Sequence, residues 1–391
     1  MKIALIRQRY NPYGGAERFV EQALASLQAQ DDISLTLITR RWISVERGRG
    51  PAIESCTPLY AGRTWRDWSF AREACARVNS GGYDLVQSHE RIACCDIYRA
   101  GDGVHAQWLD HRARTLGMLG RLGQRLSPWH RYTLAAERRL FHSPKLKVIV
   151  CNSRMVANEI KAWFGVAEEK VRVIYNGVDL ERFHPGLRAL WRTSMRERLG
   201  LREEARVLLF LGSGFDRKGA WRLLDAFAEL APHHDNLHLV VVGADRHIDR
   251  YRKKCSALGL DSRIRVVGPQ EDPAPWYGMA DVYVLPTLYD PFPNAALEAM
   301  ASGLPVVTST QCGVAELLVD APFGFAGDAL DVPTLIRQLS GMDDKTCLYM
   351  GQSARAVAER HSQDEMVLQL RNLYQELLGS SAAHAGSSGA A

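Results

Sequence analysis

The residues best suited to chemistry lie in two short segments of the second half of the chain. The first is Gly212-Ser213-Gly214-Phe215-Asp216-Arg217-Lys218-Gly219. It follows an apolar run at 207–211 and opens a helical pattern at 220–231. Glycine after a parallel strand lets the backbone turn tightly and approach a ligand closely. Arg217 and Lys218 stand where the helix begins, and a cation there opposes a helix dipole that favours negative charge. Two adjacent cations make sense if a bound diphosphate lies between them and the exposed amides. A loop with two solvated basic side chains would be spelled the same way. The segment is neither the G-x-G-x-x-G dinucleotide fingerprint nor a P-loop.

The second segment is Asp290-Pro291-Phe292-Pro293-Asn294-Ala295-Ala296-Leu297-Glu298, after a strand-like run at 282–286. Pro293 can start a helix as its first residue, or Asn294 can cap it. Gly303 and Pro305 supply the stop. The amides at such a helix start point at whatever sits above the carboxyl end of the strand. Asp290 then lies on the loop and Glu298 in the first or second turn. The bland alternatives are a turn or cap role for Asp290 and a helix-dipole partner for Glu298.

A third feature is the stretch 105–147. It holds nine Lys and Arg, including Arg112, Arg114, Arg121 and Arg125, against only Asp110 and Glu137, with Trp108, several leucines and Trp129 interleaved. Cations with Trp and Leu at near-helical spacing suit a surface helix lying on anionic lipid. A core helix with a solvated basic face would read similarly, and nucleic acid is a weaker fit. The charge balance agrees. Residues 1–186 carry 28 Lys and Arg against 19 Asp and Glu, a net +9, whereas the remainder carries 21 against 25, a net −4. An anionic partner for the first half is expected.

These segments need elements to position them. Strand-like runs are predicted at 2–7, 34–39, 85–88, 96–99, 146–151 and 171–175, then at 207–211, 238–242, 264–267, 282–286 and 305–308. Helical patterns at 16–28, 154–164, 220–231 and 294–302 alternate with them. Apolar strands alternating with helices predict parallel sheets covered on both faces. Two such series in 391 residues predict two doubly wound Rossmann-like domains. The expected division is 1–185, 186–362, a final amphipathic helix at 363–379 that packs back towards the first domain, and a disordered tail at 380–391. The Asn176-Gly177 turn and His184-Pro185-Gly186 mark the joint.

Apolar residues at 46% and charged residues at 24% fit a globular chain with two cores. The eight cysteines form no C-x-x-C pair, and no His is spaced to complete a zinc site. Reduced, buried thiols are expected. The opening apolar run stops at Arg7, short of the roughly 7–15 residues of a secretory core. No run approaches the roughly 20 residues of a membrane-spanning helix.

Four segments, in order, resemble glycosyltransferase family 4, the retaining GT-B enzymes. Gly14-Gly15-Ala16-Glu17 is similar to that family's N-terminal glycine loop. Val173-Ile174-Tyr175-Asn176-Gly177-Val178-Asp179, with Phe183, is similar to its interdomain stretch. Gly214–Gly219 resembles its Arg/Lys diphosphate clamp, and Asp290-x7-Glu298 its paired-acid segment. Tyr10–Gly15, the Gly-Ser-x-Phe-x-Arg-Lys-Gly spelling and Asp96–Asp102 further resemble the branch of lipopolysaccharide-core UDP-glucose:heptose α-1,3-glucosyltransferases. The chain departs from the family at Asp290, one methylene shorter than Glu, and at Pro293, where a small residue, usually Gly, is the rule.

The resemblance implies a GT-B architecture with the active site in the cleft between the domains. It implies transfer of a hexose, glucose foremost, from a UDP-sugar to a lipid-linked glycan such as an inner-core heptose. Arg217, Lys218 and Asp290 become catalytic residues, with Asp102 beside them. Gly14, Gly15, Gly214, Phe292, Asn294, Ala295 and Glu298 become donor contacts, Glu298 on the ribose. Asp102 or the nearby His105 becomes the acceptor or sugar contact, and Trp108, Arg112, Arg114, Arg121, Arg125 and Trp129 the membrane contacts. No D-x-D motif is present, so no metal or other cofactor is expected. The expected location is cytoplasmic, at the inner face of the cell membrane. The alternatives are a family 4 transferase with another donor or acceptor, and a catalytically silent sugar-nucleotide or lipid-binding protein.

Overall fold

The computed structural model describes residues 1–9, 33–41, 52–318 and 324–387. The chain forms two compact units, Met1–Tyr175 with Asp364–Ala391, and Asn176–Gln363.

The first unit is a parallel sheet of seven strands: β1 Lys2–Ile6, β2 Ser34–Thr39, β3 Ala52–Ser55, β4 Leu85–Ser88, β5 Ile97–Arg99, β6 Val148–Cys151 and β7 Val171–Val173. Their order is β3-β2-β1-β4-β5-β6-β7. Alternate residues of β1 divide between two cores, Ala4 and Ile6 on one face and Ile3 and Leu5 on the other, as the two-residue period of a strand requires. Helices Gly62–Ser80 and Arg154–Phe164 cover the first face through Phe70, Ala74, Val156 and Ile160. The helix Gln363–Ser387 covers the other through Met366, Val367, Leu370, Leu373 and Tyr374. Each such apolar side chain contributes about 1.5–3 kcal/mol by leaving water. The Tyr374 phenol also donates to Gln87 Oε1 at 2.8 Å.

The second unit has six parallel strands: β8 Arg206–Leu211, β9 Leu237–Val242, β10 Ile264–Gly268, β11 Val282–Leu285, β12 Val306–Ser309 and β13 Gly324–Gly327. Their order is β10-β9-β8-β11-β12-β13. In both units the order reverses direction once, between β1 and β4 and between β8 and β11. The loops leaving those neighbouring strands diverge there and open a crevice at the carboxyl end of the sheet.

Several expectations change. β3 and β13 were not anticipated. Ala52–Ser55 is a largely exposed edge strand, and Gly324–Gly327 begins and ends in glycine, so neither carries an apolar signal. Residues 176–185 pack with the second unit rather than closing the first. Val178 N–H donates to His361 O, Gln363 N–H donates to Val178 O, and Phe183 is buried edge-on against Tyr277. The final helix continues to Ser387 where a disordered tail was expected from 380, and 388–391 lie outside the described residues. Gly14, Gly15 and the helix expected at 16–28 also lie outside them. The cysteines need correction, because Cys75 and Cys94 form a disulfide and six thiols are free. Adjacent Cys94 and Cys95 take different partners. Cys94 meets helix Gly62–Ser80, while buried Cys95 directs its thiol to Ile92 O.

The turn after β8 depends on glycine. Gly214 (φ 77°) precedes the short helix Phe215–Lys218, and Gly219 (φ 79°) separates it from helix Ala220–Leu230. A Cβ on Gly219 would stand 1.9 Å from Pro286 O, on the neighbouring switch-point loop. Gly259 has a similar φ of 67°, but nothing lies within 4 Å of its would-be Cβ. Gly259→Ala should therefore lose about 1 kcal/mol for its left-handed backbone. Gly219→Ala should lose roughly 3 kcal/mol or more through added overpacking. Urea denaturation checks this, and equal losses would remove the close approach of the two loops.

Candidate active site

Both sequence-predicted segments of the second unit leave neighbouring strands at its switch point. The turn after β8 carries Arg217 and Lys218, and the loop after β11 carries Asp290. The Leu288 N–H donates to Arg217 O at 2.8 Å, and the Thr287 hydroxyl donates to the same oxygen at 3.1 Å. The backbone of Asp290 is fixed from its other side, its N–H donating to Gln311 O and its carbonyl accepting from Gly313 N–H.

Lys218 does not lie in solvent. Its side chain folds back along Gly212, where a Cβ would stand 2.7 Å from Lys218 Cδ, and its Nζ donates to Asp290 Oδ2 at 2.8 Å. Arg217 Nη1 lies 3.4 Å from the same oxygen and donates to Tyr289 O at 2.7 Å. The side chains of Lys218 and Asp290 are 11% and 8% exposed, whereas Arg217 is 38% exposed. Burial alone would push the Asp290 carboxyl up, but Lys218 and Arg217 together outweigh it and hold the group below the usual carboxylate range. The three ionised side chains sum to +1, and Arg217 is the one that reaches solvent. The Cys312 thiol, buried and beside Asp290, is pushed up to about 12 and stays protonated.

Beyond Asp290 the helix is Asn294–Ala301. Pro293 sits in the cap position with extended backbone (φ −71°, ψ 117°), and Asn294 is the first helical residue. Pro293 has no N–H to offer in that place, and its carbonyl accepts from Ala296 N–H at 3.0 Å. The loop is held by Asn176, for which the turn and the interdomain stretch had suggested no side-chain role. Asn176 Nδ2 donates to Asn294 Oδ1 at 2.7 Å and approaches Phe292 O at 3.3 Å. Phe292 is buried, whereas Asn294, Ala295 and Glu298 are half-buried. The Glu298 carboxylate accepts from the Tyr277 phenol at 2.8 Å. Nothing in spacing or composition pointed to Tyr277.

In the first unit, the loops after β1, β4 and β5 bring Arg7, Glu90 and Asp102 to one place. Arg7 Nη1 is 3.5 Å from Asp102 Oδ2 and 3.9 Å from Glu90 Oε1. Asp102 is the open member, with 49% of its side chain exposed. Its loop is held by Asn152, which donates to Gly101 O, and by Arg91, which donates to Gly103 O and to Glu137. Glu137, buried, accepts the N–H groups of His105 and Ala106 at the start of helix His105–Ala113. His105 is buried, its Nε2 lies 3.0 Å from His130 Nδ1, and burial foremost pushes it down to about 3. It is a neutral packing residue in this arrangement, which leaves Asp102 as the accessible member of the pair.

The basic stretch is three helices, His105–Ala113, Met118–Leu126 and Pro128–Phe141, rather than one. Trp129 is turned inward. Its indole N–H donates to Asp67 at 2.8 Å, and Arg63 lies 3.9 Å over its ring. Trp108 and Arg112 are half-buried, and Arg121 donates to Ala113 O and Leu116 O. Arg114 and Arg125 are exposed, and so are Met118, Leu119, Leu122 and Leu126. Among the described residues no helix is long and apolar enough to cross a membrane.

Comparison with known proteins places the chain by family and fold. The profile of the glycosyl transferases group 1 matches residues 192–356, and that of Glycosyltransferase Family 4 matches residues 13–182. The chain belongs to the family 4, group 1 glycosyltransferases of GT-B fold. Along the sequence it is 26% identical over 332 residues to the lipopolysaccharide glucosyltransferase WaaG of Escherichia coli, covering 83% of this chain and 84% of that one. It is 31% identical over 172 residues to the uncharacterized glycosyltransferase MJ1607 of Methanocaldococcus jannaschii, covering 44% of each. The match to spore coat protein SA of Bacillus subtilis, 32% identical over 192 residues, covers 45% of this chain and 50% of that protein. The chain thus spans half or less of the length of several curated relatives. The crystal structure of WaaG superposes with a TM-score of 0.81 at 22% identity, covering 95% of this chain and 99% of that one. That of Anabaena HepE in complex with UDP-glucose superposes with a TM-score of 0.71 at 20% identity, covering 96% and 100%. At such identities the superpositions establish the fold.

The cation pair of this family 4 chain carries its own counter-ion, which makes the charge balance testable. Asp290→Asn removes the carboxylate from a buried pair, a change that costs about 3–5 kcal/mol. The variant should melt lower than wild type in plain buffer. It should also gain more than wild type from added pyrophosphate, because the anion then meets +2 rather than +1. Equal gains in thermal melting would show that the anion does not bind at the pair.

Proposed function

We propose that the protein is a retaining glycosyltransferase that moves a hexose, glucose foremost, from a UDP-sugar to a lipid-linked glycan, with a heptose of the lipopolysaccharide inner core as acceptor. The observation that carries this reading is the Arg217–Lys218 pair, held on Asp290 at the switch point beside a helix start that bears Glu298. The similarity to WaaG, a lipopolysaccharide glucosyltransferase, along most of both chains supports the donor and acceptor class. The likeness in fold to a structure that holds UDP-glucose supports the donor.

In this reading the bond from the anomeric carbon to the donor's β-phosphate oxygen breaks, and its electron pair stays on the diphosphate. The acceptor hydroxyl oxygen bonds to the anomeric carbon on the same face, and its proton passes to the leaving phosphate oxygen. Arg217 and Lys218 stabilise the charge that develops on the diphosphate, at fixed positions and in a partly dry site, where such stabilisation is strongest. They supply the charge that a divalent ion supplies elsewhere, so the proposal needs no metal. Glu298 accepts the ribose hydroxyls. Asp102, set against Arg7, contacts the acceptor or the transferred sugar. Lys218→Ala should lower turnover of UDP-glucose with a truncated lipopolysaccharide acceptor by about 10²–10³-fold. The half-exposed Arg217→Ala should lower it while keeping the wild-type melting temperature. Near-normal rates in both variants would sink the clamp assignment.

The reading includes a peripheral site on an anionic membrane, with the protein at the inner face of the cell membrane. Helix Met118–Leu126 supports it. Met118, Leu119, Leu122 and Leu126 fall within an arc of about 100° and are all exposed, flanked by Arg114 and Arg125. Each basic residue near an anionic surface contributes about 1 kcal/mol. Leu119→Ser with Leu122→Ser should weaken binding to phosphatidylglycerol vesicles about tenfold or more, and Arg114→Gln with Arg125→Gln should do so in low salt. Sedimentation with vesicles reads both, and unchanged binding would remove the membrane claim.

A further inference from the structure

Tyr277 lies on the helix Ala274–Met279, in a place set by packing rather than by loop chemistry. Its side chain is 1% exposed. The ring stands edge-on to Phe183 at 5.7 Å and lies 6.3 Å from Tyr283. The neighbouring Gly278 fixes the register of the helix. A Cβ there would stand 2.4 Å from Leu187 O, at the start of helix Leu187–Arg198. Trp276, 2% exposed, is buried on the same short helix, with Arg198 over its ring. The phenol oxygen therefore has little freedom to move.

That oxygen lies 2.8 Å from Glu298 Oε2 and 3.0 Å from Ala295 O. A phenol has one proton to donate. The carboxylate is charged and takes the stronger hydrogen bond, whereas the Ala295 carbonyl lies in the first turn of its helix, where the ladder of that helix uses it. A flexible glutamate near a helix start is thus tied to a rigid donor from a different element.

We propose that Tyr277 is the positioning residue of Glu298. By holding Oε2, it selects the carboxylate rotamer that receives a vicinal diol of the nucleotide ribose. This rests on the reading that Glu298 contacts the donor ribose. Tyr277 touches no reacting atom and acts through the carboxylate alone. The tie lowers the side-chain entropy that Glu298 would otherwise lose on binding.

The test compares, by calorimetry, the affinities of the full-length protein for UDP and for 2′,3′-dideoxyuridine diphosphate. Wild type should favour UDP about tenfold or more, since carboxylate–hydroxyl hydrogen bonds are charge-assisted. In Tyr277→Phe, which removes only the phenol oxygen, that preference should fall to about twofold or less. Glu298→Gln should lose it as well, and the double variant should be no worse than Glu298→Gln alone. A purely structural role for Tyr277 would weaken both ligands equally and preserve the ratio. Tyr277→Met, less demanding in shape, carries the same comparison if the Phe variant is unstable. A wild type that discriminates alongside a Tyr277→Phe that keeps the full ratio would overturn the proposal alone. A wild type that binds both nucleotides alike would overturn the ribose assignment of Glu298 and the proposal with it.

Discussion

Two cations side by side at the start of a helix repel each other and oppose the helix dipole, and the second unit is built around holding them there. Asp290 is the counterweight. It sits on the next strand's loop, so the cation pair exists in its observed form only if β8 and β11 are neighbours. The strand order makes them so. The glycines follow from the same requirement. Gly212 leaves room for the folded-back Lys218 chain, and Gly219 lets the β8 turn approach Pro286. The backbone of Asp290 is tied to the segment after β12, so three consecutive loops are stiffened at once. Preorganisation of this kind is what electrostatic catalysis needs, because the charges need not reorganise as the reaction proceeds.

The architecture was legible in the sequence because buried parallel strands are short apolar runs, and β1, β6, β8, β9 and β11 are nearly pure examples. Of the four edge strands, β7 and β10 were legible and β3 and β13 were not. β3 carries polar and exposed residues and β13 carries glycines, since an edge strand is only partly covered and its apolar pattern is weak. The cation pair was legible as adjacent basic residues after a glycine turn, but its counter-ion was not. Asp290 was read as a catalytic residue on the strength of family spelling, whereas its pairing with a cation 72 residues away in sequence is set by tertiary packing alone. Asn176 and Tyr277 were missed for the same reason. Each acts across elements through a side chain whose local sequence announces only a turn or a short helix.

The basic stretch illustrates a different limit. Composition identified a cationic, aromatic-rich segment correctly but could not say which of its side chains face outward. Trp129 and Arg112 are drawn into a cluster with Arg63, Asp67, His105 and His130, where the indole N–H finds a carboxylate and the rings pack edge to face. Such inward partners exist because tryptophan gains more from a packed ring with a satisfied N–H than from water. The leucines of Met118–Leu126 have no equivalent, because no residue of that short helix is buried. An apolar face that does not help to hold its own helix must be explained by something other than the core.

The two departures from family spelling fit one physical account. A glutamate at position 290 would carry its carboxylate one methylene further from the loop. The aspartate keeps it back on Lys218, where it is 8% exposed and its charge is balanced by the cation pair. Pro293 removes a backbone donor from the same loop and fixes its φ, and Asn176 ties the neighbouring residues 292 and 294. The loop is therefore stiffer, and poorer in one amide, than a glycine at 293 would make it. Any ligand approaching it meets fewer adjustable contacts, so shape and the fixed positions of polar groups between Asp290 and Asn294 count for more.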